Sequence, residues 1–351
     1  MIILVTGCSG FIGSHLCEKL IEFENVVVGT DINELPLDFK YPTQIKFIRE
    51  DIREKILSIE KFKPEIVIHL AALPGVYPST VRPLETIDTN IKGTINLIEE
   101  CHKNNVTKII YASSSTVYGN EHNSDNQQTS DNLLSPYAIT KKTCEMFFNY
   151  YSNSYNIKCI GLRFFSVFGP RGRQDMAPYI FINSILNNKE LTIFGDGSIK
   201  RDFTSIDDIV TGIILVSKYI NTMIKNHDIF NLGNNNGITI NDFIEIIEKC
   251  TNKTSTKKYI PQRSCDNDKT HADLTKSFKF LGYKPKISVT DEIIRTVQYY
   301  KKKQCLTCES VGPDEKDRHN WSSHPIDKYQ IAWANSNFDK VSSFYRDDPY
   351  Y

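Results

Sequence analysis

A strand that runs straight into a glycine-spaced turn opens this chain, and that junction narrows its folds more than anything after it. Met1-Ile2-Ile3-Leu4-Val5 is apolar with no basic flank, and Thr6-Gly7-Cys8-Ser9-Gly10-Phe11-Ile12-Gly13 follows directly. Such a run reads as a buried strand rather than a signal peptide. Strand, glycine turn and helix together present backbone N–H groups and the positive end of a helix to a phosphate. Gly7, Gly10 and Gly13 allow the tight turn and the close backbone approach that a pyrophosphate needs.

The rest of the first half keeps the rhythm this opening requires. Short apolar runs at Ile2–Thr6, Val26–Thr30, Ile45–Glu50, Ile66–Leu70, Ile109–Ala112 and Lys158–Phe164 read as strands, and amphipathic stretches such as Gly13–Phe23 and Asn90–Lys103 lie between most of them. This alternation predicts an α/β fold, a Rossmann doubly wound parallel sheet over residues 1–168 that segments from further along can rejoin. After Phe168 the pattern breaks into a loop, Gly169-Pro170-Arg171-Gly172-Arg173, and then short elements such as Pro178–Asn187, Leu191–Phe194 and Ile240–Cys250. Residues 169–303 are expected to form a smaller C-terminal lobe that covers a ligand. From about Gln304 to Tyr351 the chain is a polar tail containing Trp321, Tyr329, Trp333, Phe338, Phe344 and Tyr345, aromatics that suit docking on a surface.

Charge and cysteine content exclude several classes. The 42 basic residues balance the 42 acidic ones, so wholesale nucleic-acid or membrane-surface binding is not expected. No apolar run approaches the roughly 18 residues of a membrane helix. Nine scattered cysteines are an odd number and read as free thiols in a reducing, cytoplasmic compartment. Cys305 and Cys308 with His319 and His324 imitate zinc-finger ligand spacing, but the hydrophobic finger pattern is missing, so no metal is expected.

Two further features give the opening turn a chemistry. Asp31 ends the second strand, where an acid accepts hydrogen bonds from both ribose hydroxyls and repels a 2′-phosphate. No Arg or Lys follows until Lys40, which favours NAD over NADP; Asp51-Ile52, after the next strand, is placed to meet the adenine edge. The bland reading of a lone Asp at a strand end is a helix cap. Ser135-Pro136-Tyr137-Ala138-Ile139-Thr140-Lys141 then puts Tyr137 and Lys141 on one helical face, with Ser135 as cap and Pro136 in the first turn. A lysine ammonium beside a phenol favours the phenolate, which suits Tyr137 to act as a base. Ala112-Ser113-Ser114-Ser115-Thr116-Val117-Tyr118-Gly119 brings hydroxyls to the C-terminal end of a central strand, facing the crevice where such sheets bind ligands.

These features resemble the extended short-chain dehydrogenases/reductases, specifically NAD-dependent nucleotide-sugar epimerases, over about residues 1–301. The resemblance is carried by the TGCSGFIG turn, His69-Leu70-Ala71-Ala72, the SSSTVYG strand end, Tyr137 with Lys141, Leu162–Arg171, Phe194-Gly195-Asp196-Gly197, Arg201-Asp202-Phe203 and Leu281-Gly282-Tyr283-Lys284-Pro285. It implies that Phe11, Ile12, Leu70, Ala71 and Ala72 join the glycines, Asp31, Asp51 and Ile52 at the cofactor. It implies that Ser114 hydrogen-bonds the sugar 4-hydroxyl, Tyr137 takes its proton, and Lys141 favours the phenolate and holds the nicotinamide ribose. Arg201, Arg263 and Asp266 match positions that hold a uridine diphosphate, for which arginines suit the phosphate oxygens. Residues 169–303 thereby become a nucleotide-sugar lobe, and a homodimer through Asn90–Lys103 and Tyr137–Ser154 is usual among such proteins.

Within that family, dehydratases and decarboxylases carry an acid just after the catalytic hydroxyl. Here Ser115 and Thr116 stand there, and neither shuttles a proton well near neutral pH. That points to reversible oxidation at C4 alone. The loop Phe168–Met176 looks like that of UDP-glucuronate 4-epimerases, in which the β-keto-acid intermediate must keep its carboxylate pinned. Ser166 and Arg173 match positions proposed for this, with Ser113 and Ser115 nearby. Those enzymes tend to read Gly-Val-Arg-Tyr after the Ala-Ala turn, whereas this chain reads Gly75-Val76-Tyr77-Pro78, leaving Arg82 as a replacement cation. UDP-glucose/UDP-galactose or an N-acetylhexosamine is the alternative substrate; a uronate decarboxylase and a non-catalytic nucleotide-sugar-binding protein rank below it.

Overall fold

The computed structural model describes residues 1–120, 129–263, 265 and 270–309, with side chains as far as Lys303. Asp266, the tail aromatics and the side chains of Cys305, Cys308, His319 and His324 lie outside the described residues. Residues Met1–Lys303 form one compact unit.

The chain builds β1 (Ile2–Thr6), β2 (Val26–Asp31), β3 (Lys46–Arg49), β4 (Ile66–His69), β5 (Lys108–Ser114) and β6 (Lys158–Phe164) in turn. Short strands β7 (Val167–Phe168), β8 (Leu191–Phe194), β9 (Lys200–Arg201) and β10 (Thr204–Ser205) leave the sheet, β11 (His227–Leu232) returns to it, and β12 (Ile238–Thr239) and β13 (Lys257–Ile260) pair outside it. The helices are α1 (Phe11–Glu22), α2 (Leu57–Phe62), α3 (Val76–Val81), α4 (Pro83–Ile87), α5 (Gly93–Lys103), α6 (Pro136–Tyr155), α7 (Ala177–Leu186), α8 (Ile206–Tyr219), α9 (Ile240–Thr251), α10 (Thr275–Leu281) and α11 (Val289–Glu309).

Seven parallel strands form the main sheet in the order β11-β6-β5-β4-β1-β2-β3. The chain builds outward from β1 through β2 and β3, then crosses back to β4 on the other side. That reversal opens a crevice over the C-terminal ends of β1 and β4, where doubly wound sheets bind ligands. Both faces are covered, so the central strands are built on near-continuous apolar runs. Ile3, Val5, Ile66, Ile68, Ile110 and Leu162 enter the core shared with α1 and α8; Leu4, Val28, Val67, Ile109 and Tyr111 enter the one shared with α2, α5 and α6. A third core, including Phe168, Phe181, Ile193, Phe203, Phe243 and Val297, belongs to the second half of the unit.

Helix α6 starts as its sequence predicts. Ser135 Oγ accepts the Ala138 N–H at 3.2 Å, and Pro136 occupies the first turn. Deeper along α6, Glu145 meets Arg163 of β6 in the interior: Arg163 Nε and Nη2 each donate to the carboxylate at 2.8 Å, with side chains 7% and 3% exposed. Arg163 Nη1 donates to the Tyr118 hydroxyl at 3.0 Å, which donates to Asn231 Oδ1 at 2.7 Å. Removing one member of a buried pair strands the other charge, which costs about 3–5 kcal/mol. Glu145→Ala should lose that much stability in denaturant unfolding, and the double variant Glu145→Leu/Arg163→Met should regain most of it. A Glu145→Ala protein as stable as wild type would deny the pair this role.

Candidate active site

The opening turn is as tight as its glycines require. Gly7 adopts φ +72°. A Cβ on it would lie 2.7 Å from the Ala71 nitrogen, and one on Gly13 would lie 2.0 Å from the Gly7 carbonyl oxygen. Gly7 and Cys8 both donate to the Thr30 carbonyl, at 2.8 and 3.3 Å. Gly10 precedes helix α1, which has no side-chain cap and no acid in its first turn. The N–H groups of Phe11, Ile12 and Gly13 have no intrahelical acceptor there, so the turn fits an anionic pyrophosphate. Burial, then Asp31, pushes the Cys8 thiol up to about 12, which keeps it neutral beside the cradle.

Asp31 stands at the end of β2 as expected. Its Oδ2 accepts the Ser9 N–H at 3.0 Å and its Oδ1 the Asn33 N–H at 2.9 Å, which fixes the carboxylate at the crevice edge. Burial raises its pKa, and these backbone N–H groups oppose the rise. One nearby cation was hidden by sequence distance: Arg49, beside Asp31 in the β2–β3 register, donates to the Ile32 carbonyl at 2.9 Å and faces Glu34 at 3.7 Å. Asp51 is engaged by Arg53, which holds its carboxyl below the usual range, and Ile52 packs in the core beside Gly93. Leu70 and Ala71 donate to the Thr6 carbonyl and hydroxyl at 3.1 and 3.2 Å, drawing the β4 turn, including Ala72, against the cradle.

Beside the cradle stand Ser114, Tyr137 and Lys141. Ser114 Oγ accepts the Thr116 N–H at 3.2 Å and the Thr116 hydroxyl at 3.0 Å, so its own proton remains available among the described residues. The buried Lys141 Nζ donates to the Ala112 carbonyl at 2.9 Å and lies 5.7 Å from the centre of the Tyr137 ring. The Tyr137 hydroxyl has no hydrogen-bond partner among the described residues. Its backbone N–H donates to Ser79 Oγ at 3.0 Å. His69 bridges Thr6 and Thr94 at 2.8 and 2.9 Å; burial, then Lys141, lowers its pKa to about 3 and keeps it neutral.

One expected site residue is corrected. Ser113 is buried and donates to Glu145 Oε1 at 2.6 Å, on the α6 side of β5. Successive strand side chains alternate faces, so Ser113 supports the Glu145–Arg163 pair instead of facing a substrate. Residues that the sequence reading missed are Ser79 and Asn90. Asn90 lies in a π-helical turn, Asp88–Lys92, accepts the Leu73 N–H at 2.7 Å and donates to Thr140 Oγ1 at 3.1 Å, tying the β4 loop to α6 one turn from Tyr137. No local spacing marks Asn90, because Asp88, Thr89 and Lys92 around it are equally polar.

The second half supplies cations. Arg173 is paired with Asp175, and its Nη2 would lie 3.1 Å from a Cβ on Gly75. Arg263 is layered between Phe194 and Tyr77, 3.8 and 4.4 Å from the two ring centres. Arg82 pairs with Glu85 on the surface, so it is not the cation that stands near Tyr77. Arg201 is carried by β9, opposite Ile238 of β12. Its neighbour Asp202 is fully buried and accepts backbone N–H groups from Asn234, Asn235 and Ala272. Ser115 and Ser166 have hydroxyls without partners among the described residues. Those residues contain no cluster of three metal-ligating side chains and no helix long and apolar enough to cross a membrane.

Comparison with known proteins agrees with this geometry. The sequence model of the NAD dependent epimerase/dehydratase family matches residues 3–233. A protein named UDP-glucuronate 4-epimerase from Thermodesulfobacterium geofontis is 37% identical over 317 residues, covering 85% of this chain and 95% of the relative. The crystal structure of UDP-glucuronic acid 4-epimerase from Bacillus cereus, in complex with UDP-glucuronic acid and NAD, is 35% identical with a TM-score of 0.78, covering 86% of this chain and 100% of that one. The UDP-glucose 4-epimerase of Thermotoga maritima, solved with UDP-glucose, is 31% identical with a TM-score of 0.80, covering 87% and 100%.

If Tyr137 is the base, Tyr137→Phe should leave NAD bound and lower kcat by about 10² to 10⁴, the usual worth of general acid–base catalysis. Near-normal turnover by a folded Tyr137→Phe protein would remove the assignment.

Proposed function

The chain belongs to the NAD dependent epimerase/dehydratase family, and from that premise we propose that it converts UDP-glucuronate to UDP-galacturonate through a 4-keto intermediate. The observation that carries the chemistry is the Tyr137 hydroxyl, without a hydrogen-bond partner among the described residues, on a ring whose centre lies 5.7 Å from the buried Lys141 Nζ, together with the Ser114 proton left uncommitted among those residues.

The cradle fits NAD: the Gly7–Gly13 turn and the open first turn of α1 would hold its pyrophosphate, Asp31 its adenosine ribose, and Lys141 its nicotinamide ribose. Bound NAD supplies reversible hydride acceptance at the sugar C4. Ser114 donates to the C4 oxygen and orients it. Tyr137 takes the 4-hydroxyl proton as the ketone forms and returns it when the alcohol is restored. Lys141 keeps a positive charge near the developing phenolate. Ser115 and Thr116 bring no acid beside C5 and C6, so nothing there drives loss of water. Arg201 and Arg263 are the cations for the diphosphate, for which guanidinium groups suit the geometry.

The uronate reading rests on Arg173. Its guanidinium borders the Gly75 turn, where a sugar carboxylate can meet it, and Ser115 and Ser166, whose hydroxyls have no partner among the described residues, are the proposed hydroxyl partners of that carboxylate. A 4-ketone with a C6 carboxylate is a β-keto acid, so groups that pin the carboxylate suppress loss of CO2. One observation favours the neutral-sugar alternative: Arg173 is already neutralised by Asp175, and a uronate has to share that charge. Incubating the protein separately with UDP-glucuronate, UDP-glucose and UDP-N-acetylglucosamine, with products read by NMR, distinguishes the readings. UDP-galacturonate with little CO2 is expected. Arg173→Ala should cost about 1.5–3 kcal/mol in kcat/KM for UDP-glucuronate and far less for a neutral sugar. Brisk epimerisation of UDP-glucose with none of UDP-glucuronate would overturn the uronate assignment.

A homodimer belongs to the same proposal. Helix α6 exposes Ile139, Met146 and Tyr150 at 50%, 65% and 56%, and Leu84 of α4 is 79% exposed. Apolar side chains on one helical face favour burial against a second copy. Sedimentation should show a dimer that Met146→Glu splits; a wild-type monomer at micromolar concentration would refute it.

A further inference from the structure

Arg171 lies two residues before Arg173 but turns the other way, onto the cofactor helix. Its Nη1 donates to Glu18 Oε1 at 3.0 Å and its Nη2 to Glu18 Oε2 at 2.7 Å, a bidentate pair joining residues 153 apart. The side chains are 11% and 5% exposed. Glu18 sits two turns into α1, the helix whose first turn forms the cradle, and its Oε1 also accepts the Lys40 N–H at 2.9 Å. Arg171 holds φ at +61°, a left-handed conformation unusual for a residue with a side chain. Such strain persists only where surrounding contacts over-determine it.

Those contacts surround the loop. The Gly172 carbonyl accepts from the Tyr300 hydroxyl of α11 at 3.2 Å, and the Gly172 N–H donates to the Gly169 carbonyl at 3.0 Å. Gly169 is packed so closely that a Cβ on it would lie 2.4 Å from Glu292 Oε1. Glu292 in turn accepts from Ser205 and Arg295. The loop is thus held by α11 on one side and α1 on the other, and Arg173 leaves it toward Gly75. A buried ion pair contributes little net stability compared with a well-packed apolar pair. Its distinctive property is fixed direction, because a guanidinium fork and a carboxylate meet in one geometry.

We propose that the Arg171–Glu18 pair is a positioning bracket: it sets the loop of residues 169–176 on the cofactor helix and so fixes Arg173 relative to the bound cofactor. Arg171 is committed to Glu18 through both terminal nitrogens and is a positioning residue, acting through the loop. The substrate consequence rests on the uronate reading above. With the bracket intact, the carboxylate is held while C4 is a ketone. With it broken, Arg173 wanders, binding of the charged sugar weakens, and the β-keto acid has time to release CO2 from C6, leaving the C5 carbanion to be protonated.

The test uses the full-length, NAD-loaded protein carrying Glu18→Gln, which keeps the side-chain shape, and separately Arg171→Gln. Hydrogen–deuterium exchange should show faster exchange at peptides covering residues 169–176, with NAD affinity and exchange in the central strands as in wild type. With UDP-glucuronate, KM should rise by about tenfold, the effect of losing one interaction of ordinary strength, and the decarboxylated fraction of product should increase. The double variant should be no worse than the worse single one, because the two side chains act as one unit. Loop exchange unchanged in both single variants overturns the bracket whatever the substrate proves to be. Exchange that rises equally across the whole sheet also overturns it, since the pair would then serve general stability. If wild type ignores UDP-glucuronate, the uronate reading fails on its own, and the exchange result still decides the bracket.

Discussion

The placement of Tyr137 and Lys141 depends on one buried ion pair further along the same helix. Glu145 lies one helical turn beyond Lys141 and two beyond Tyr137, so the three share a face of α6. By gripping Arg163 of β6, and by accepting from Ser113 of β5, Glu145 fixes the rotation of α6 about its axis against two adjacent strands. Rotation of α6 would carry Tyr137 and Lys141 with it, and Lys141 would leave the Ala112 carbonyl. An apolar contact resists such rotation weakly because dispersion is non-directional. The paired charges resist it strongly, and the surrounding hydroxyls leave neither charge stranded.

The same logic governs the polar groups around Lys141. A buried ammonium needs acceptors and no nearby positive charge. The Ala112 carbonyl supplies the first. Burial of His69 supplies the second, because a neutral imidazole spanning two threonine hydroxyls adds no repulsion. Asn90, held in a π-helical turn, then ties the loop after β4 to α6. The crevice is therefore assembled from elements far apart in sequence, each joined to the next by a satisfied polar contact.

Much of this was legible in the residues. Strands β1 and β6 run as their apolar patterns predict, because both faces of the sheet are covered and each strand carries a short apolar run, Ile2–Val5 and Cys159–Leu162. Strand β11 was not, because polar His227, Asp228 and Asn231 interrupt its apolar residues, and it pairs only with β6 at the sheet's edge. Tyr137, Lys141 and the glycine turn announce themselves through local spacing. Arg49 beside Asp31 and Arg263 on Tyr77 are non-local neighbours, which spacing along the chain does not encode. Ser113 was misplaced for a different reason: adjacent residues of a strand cannot both face the crevice, so the hydroxyl run had to be divided between two faces.

The contact between Gly7 and the Ala71 backbone has a consequence for recombination. The first strand–turn–helix unit looks like a module that two such proteins could exchange. Yet the missing Cβ of Gly7 is filled by residues 70–71, which lie beyond β2 and β3 in the chain. A crossover point between these segments would join a turn from one parent to a β4 end shaped for another. Chimeras of this fold should therefore inherit residues 1–13 and 69–72 from the same ancestor, as a discontinuous unit of descent.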